Sequence, residues 1–184
     1  MQVLSKWLLK TAGWKVVVKV EEPAKSVICV APHTSNWDFL IGKLGYWSLG
    51  RKASFLIKKS WFFFPMGYLF DAMGGVPVDR SRSTSVTQIM AEEFSRREQF
   101  HLAITPEGTR SLVPKWKMGF YHIALSAKVP IQIACLDYVK KEVSIEALFY
   151  PTGDETADIE KIQSYYKNVN ARFPEKFNLS AENR

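Results

Sequence analysis

Cysteine is nearly absent: Cys29 and Cys135 are the two in 184 residues, each inside an apolar run. That excludes a disulfide framework and a cysteine zinc knuckle, and it reads as two buried thiols in a reducing compartment. No apolar stretch reaches the roughly 20 residues needed to cross a bilayer. The first 22 residues carry lysines at 6, 10, 15 and 19, which interrupt any signal-peptide core. There is no Gly-x-Ser-x-Gly elbow, phosphate-binding P-loop, Gly-x-Gly-x-x-Gly turn or His-Glu-x-x-His helix. Covalent serine hydrolysis, nucleotide hydrolysis, dinucleotide redox and zinc chemistry all lose their usual signals. Histidine is also sparse. His101 and His122 have no metal-ligand spacing with His33 and read as structural, so no metal is expected. Repeats, low-complexity segments and linkers are missing too.

What is present is basic and aromatic. The net charge is +7, and 14% of residues are Phe, Trp or Tyr, many of them beside lysines. Such a chain is expected to meet phosphate, on nucleic acid, lipid or a small substrate. Amphipathic rings beside lysines also suit a membrane interface, although an aromatic core under a basic surface has the same composition. With 47% hydrophobic and 23% charged residues, the chain reads as one globular domain over 1–184.

In chain order, residues 3–12 place Val3, Leu4, Trp7, Leu8 and Thr11 on one helical face, a short basic amphipathic helix suited to an interface or to packing on the domain. Strands are expected at 14–20, 26–31, 53–57, 76–78, 101–105, 131–136 and 143–149. Helices are expected at 36–49, 84–98, 119–127 and 155–173. Residues 61–70 hold no charge; they read as core, as the wall of an apolar groove, or as a membrane-facing surface. The alternation predicts an α/β domain with a central, mixed β-sheet flanked by helices, plus the N-terminal amphipathic helix. In such sheets ligands gather beyond strand carboxyl ends, where His33, Arg80 and Glu107 to Arg110 all fall.

His33 leaves a strand, and Asp38 follows five residues later at a helix start. A carboxylate that holds one imidazole nitrogen protonated leaves the other free as a base. The same residues also satisfy a purely structural reading, because Ser35-x-x-Asp38 is a capping box. Arg80, Arg110 and nearby lysines can bind an anion, since arginine presents a fork that matches phosphate or carboxylate. Glu107 can fix an arginine or accept a hydrogen bond from an acceptor hydroxyl, and Gly108 allows close backbone approach. A strand-to-turn corner with a surface ion pair would also account for 105–110.

His33-Thr-Ser-Asn-Trp-Asp38 and Pro106-Glu-Gly-Thr-Arg-Ser111 together resemble the motifs of the lysophospholipid acyltransferase family, which includes 1-acylglycerol-3-phosphate acyltransferase. Gly75-Val-Pro-Val-Asp-Arg80 and Val129-Pro130-Ile131 are similar to its intermediate and late elements, so the resemblance covers about 25–140. It implies His33 as general base with Asp38 as partner. It implies acceptor binding by Arg80, Glu107, Gly108, Thr109 and Arg110. The donor would be an acyl thioester on coenzyme A or acyl carrier protein, with no bound cofactor. The implied partners are a membrane surface, a lipid acceptor and acyl carrier protein, not nucleic acid, and the implied location is the cytoplasmic face of a membrane. Pro32 and Thr105 depart from the commoner family residues and point to a subgroup with its own acceptor, a monolysophospholipid or an amino-acid lipid. A non-catalytic lipid-binding module is the competing reading.

Overall fold

Two mostly apolar runs buried on both faces, Lys25–Ala31 (β2) and Ile131–Asp137 (β6), form the centre of the sheet. Strands buried on both sides need helices above and below the sheet. The computed structural model describes residues 1–78 and 86–179 and has that form. Its other strands are Lys15–Val18 (β1), Ser54–Lys58 (β3), Gly75–Val78 (β4), Phe100–Ile104 (β5) and Glu142–Phe149 (β7). They make one seven-stranded sheet in the order β1-β7-β6-β2-β5-β3-β4. Strands β6, β2, β5, β3 and β4 are mutually parallel; β7 runs antiparallel to β6, and β1 follows β7. The mixed sheet expected from the sequence is therefore present.

Helices Gln2–Thr11 (α1), Asn36–Ser48 (α2) and Met66–Ala72 (α3) lie on one face. The placement of α3 follows from register. Gly75 pairs with Phe55 and so faces the same way, and a Cβ on Gly75 would strike Phe70 of α3. Phe55 itself meets Phe39 of α2 edge-on at 5.0 Å. The buried Lys43 of α2 then joins these parts, donating to Ala53 O at 2.7 Å and Met73 O at 2.5 Å. Burial lowers its pKa to about 8. The opposite face carries Val86–Arg96 (α4), Gly119–Ala127 (α5) and Glu155–Ser164 (α6), and holds the larger core around Met90, Phe94, Phe120, Tyr121, Ile162 and Tyr166.

Two expectations change, and the open reading of α1 is narrowed. Helix α6 stops at Ser164 rather than 173, because Asn168-Val169-Asn170 are poor helix formers and Asn170 has tertiary work. Its carbonyl accepts from Tyr138 N at 2.8 Å, and its amide binds the Asp137 carboxylate. Helix α1 packs on α2 through Ser5 and Leu9, and its apolar face of Val3, Leu4, Trp7 and Leu8 is exposed. Residues 59–72 contain no buried residue, so the core reading of 61–70 is overturned. The expected helix start at 84 lies outside the described residues. Among the described residues, no helix is long and apolar enough to cross a membrane.

Candidate active site

Three neighbouring parallel strands, β6, β2 and β5, deliver one polar group each at their carboxyl ends: Tyr138, the His33–Asp38 turn, and Glu107. The turn is short because α2 begins at Asn36. Ser35 caps it, its Oγ accepting from Trp37 N at 3.1 Å, while Asp38 Oδ2 accepts from Ser35 N at 2.7 Å and Thr34 N at 2.6 Å. The capping box is thus real, and it fixes the carboxylate beneath His33. His33 Nδ1 stands 3.6 Å from Asp38 Oδ2, close enough to tighten on substrate binding.

Asp38 is 2% exposed. Burial alone would raise its pKa, but the bonds from His33, Tyr138, Ser35 and Thr34 outweigh it and hold the group below the usual carboxylate value. Tyr138 OH supplies the remaining donor, to Oδ1 at 2.5 Å. Its own pKa is pushed up by burial and by Asp38, so it stays a proton donor. Its ring meets Trp14 edge-on, and the Arg172 guanidinium stands over both it and Trp37.

Glu107 is placed under the His33 turn, 1% exposed, with Oε1 accepting from His33 N at 2.9 Å. Its second oxygen is buried with no partner. Burial, only partly opposed by His33, raises its pKa to about 7. Gly108 has φ +65°, which favours glycine, and a Cβ there would meet the Lys117 side chain at 2.8 Å. Thr109 and Arg110 are exposed, and Thr109 Oγ1 accepts from Ser111 N at 3.4 Å. Arg80 lies outside the described residues.

His33, Asp38, Gly108, Arg110 and Lys117 all line one cavity of about 930 Å³. Its inner wall is apolar and runs between α2 and the sheet, past Gly42, Gly45, Leu49, Leu136, Val143 and Ile145. Of the run 61–70 only Phe70 reaches it. Sequence reasoning missed Tyr138 as the third support of Asp38. The signal available was a polar residue directly after a buried strand. His101 and His122 stand apart, bonded to Ser26 and Glu155 respectively. Among the described residues no three His, Cys, Asp or Glu side chains converge as a metal site.

The family model described as Acyltransferase matches residues 15–136. The chain belongs to the acyltransferase family. It is similar to the 1-acyl-sn-glycerol-3-phosphate acyltransferase of Haemophilus influenzae, 30% identical over 142 residues, covering 70% of this chain and 58% of that one. The enzyme of the same name from Escherichia coli is 27% identical over 147 residues, covering 74% and 58%. The chain therefore spans little more than half the length of these relatives. In fold it is similar to the crystal structure of the 1-acyl-sn-glycerophosphate (LPA) acyltransferase PlsC from Thermotoga maritima, with TM-score 0.63 at 19% identity, over 89% of this chain and 74% of that one.

Two outcomes are expected of this acyltransferase-family site. Because the Asp38 pKa is depressed, its ionisation stabilises the fold above the normal carboxylate range, and that contribution is lost as pH falls through the folded value. Tyr138→Phe removes a bond to the charged form, so it costs about 2 kcal/mol at neutral pH and moves the acid loss upward, as urea unfolding against pH will measure. Glu107 has the opposite sign: its contribution is complete below its unfolded value and lost as pH rises through about 7. In the same titration Glu107→Gln flattens stability across that upper range.

Proposed function

We propose that this chain transfers a fatty acyl group from an acyl thioester, on coenzyme A or acyl carrier protein, to the hydroxyl of a glycerol-phosphate lipid. The observation that carries the reading is the His33–Asp38 pair at the mouth of an apolar cavity whose same mouth holds Arg110 and Lys117. A cavity of about 930 Å³ with few polar groups suits a hydrocarbon chain. The two exposed cations suit an acceptor phosphate.

In this mechanism Asp38 holds Nδ1–H of His33, leaving Nε2 as base. His33 takes the proton of the acceptor hydroxyl as its oxygen attacks the thioester carbonyl. The tetrahedral oxyanion collapses, the carbon–sulfur bond breaks, and the leaving thiolate takes the proton from the imidazolium. An ester and a free thiol result, with no protein-bound intermediate. Glu107 acts by holding the His33 backbone, and Gly108 by admitting Lys117 to the mouth. Arg110 binds the acceptor anion directly, joined by Thr109 and by Arg80. The lipid acceptor places the protein peripherally on a membrane, on the cytoplasmic face where thioester donors are made. The exposed apolar face of α1, with Lys6 and Lys10 beside it, is its contact.

The test is thiol release from acyl-coenzyme A and acyl carrier protein thioesters with a panel of lysolipid and amino-acid-lipid acceptors. The expected result is acceptor-dependent release, lowered at least about a hundredfold by His33→Ala with the fold intact. No release from either thioester with any acceptor, by a folded protein that still binds vesicles, would replace the enzyme with a lipid-binding module.

A further inference from the structure

The two faces of the sheet differ in a way the reaction does not require. Thirteen of the eighteen large apolar side chains exposed among the described residues belong to residues 1–69, on α1, α2 and the β3–β4 crossover. On the opposite layer, α4 and the residue after it present Glu92, Glu93, Arg96 and Arg97 in ion pairs. The densest exposed group is the crossover itself. Trp61, Phe63, Phe64, Tyr68 and Leu69 are all outside, Phe64 at 83% and Tyr68 at 77%.

This group is built rather than merely left over. Trp61 and Phe62 pack on Phe70 at 6.2 and 6.0 Å, and Phe64 meets Tyr68 edge-on at 6.2 Å. Lys43 pins the end of α3 to α2. Phe70, the inner member, lines the cavity beside Phe39 and Phe55. The exposed Lys58 and Lys59 stand at the entrance of the segment, and the first acid, the exposed Asp71, comes only after its last aromatic residue. Aromatic rings flanked by lysines match the chemistry of a bilayer interface, where rings sit at headgroup depth and ammonium groups meet anionic phosphate.

We propose that residues 58–70 form a second lipid contact, an aromatic wedge that enters the headgroup region of an anionic bilayer beside the cavity. It rests on the membrane placement proposed above and adds to α1 a separate, α3-side anchor. With both anchored, the α1–α2–α3 layer faces lipid.

The experiment is vesicle co-sedimentation of the full chain on phosphatidylcholine with and without phosphatidylglycerol. It compares wild type with Trp61→Ser/Phe64→Ser/Tyr68→Ser and with Leu4→Ser/Trp7→Ser. All these side chains are exposed, so thermal unfolding should be unchanged in each variant. The expected result is salt-sensitive binding to anionic vesicles, weakened about tenfold or more by the wedge variant, whose turnover on an acceptor dispersed in detergent is unchanged. Loss of binding in the α1 variant alone, with the wedge variant binding as wild type, overturns the wedge and leaves α1 as anchor. No vesicle binding by active wild type overturns the membrane placement with it. Self-association abolished by the wedge substitutions, with vesicle binding untouched, assigns the patch to a second copy instead.

Discussion

A single buried carboxylate organises the working end of this molecule. Asp38 has almost no contact with water, and an ion in that position is tolerated only when its oxygens are bonded. The backbone N–H groups of Thr34 and Ser35 take one oxygen and Tyr138 takes the other. These donors come from separate parts of the chain: the two backbone N–H groups from the cap of α2, and Tyr138 from the exit of β6, its backbone held by Asn170. The charge is therefore kept by the fold, and His33 is the side chain left to face it.

The same logic explains the order of strands. Only because β2 lies between β6 and β5 can Tyr138 reach the turn from one side and Glu107 from the other. Glu107 grips the backbone of His33 while Asp38 faces its ring. One carboxyl stays ionised because donors surround it; the other is driven toward neutrality because burial is only partly answered. Two acids that contact one histidine, Asp38 at its ring and Glu107 at its backbone, thus have opposite electrostatic characters.

Much of this could be read from the chain. The alternation of apolar runs located every strand, and the capping spacing located the start of α2. The choice between cap and partner for Asp38 was a false one, since the cap is the device that positions the carboxylate. Tyr138 was hidden because nothing local ties it to a residue a hundred positions earlier. The run 61–70 shows the limit of composition: apolarity states that a segment avoids water, and leaves open whether protein or another apolar phase covers it. Helix α6 was overextended because its apolar period continues through Tyr166 and Val169, whereas the backbone leaves the helix to reach β6.

Asp38 remains an anion because the fold supplies its donors. The most direct measurement is a carboxyl carbon NMR titration of Asp38 in the intact protein. Its resonance is expected to stay in the ionised position through the range where ordinary aspartates protonate, moving only at lower pH. Titration at or above the usual carboxylate value would contradict this, and with it the role of Asp38 as the fixed charge facing His33.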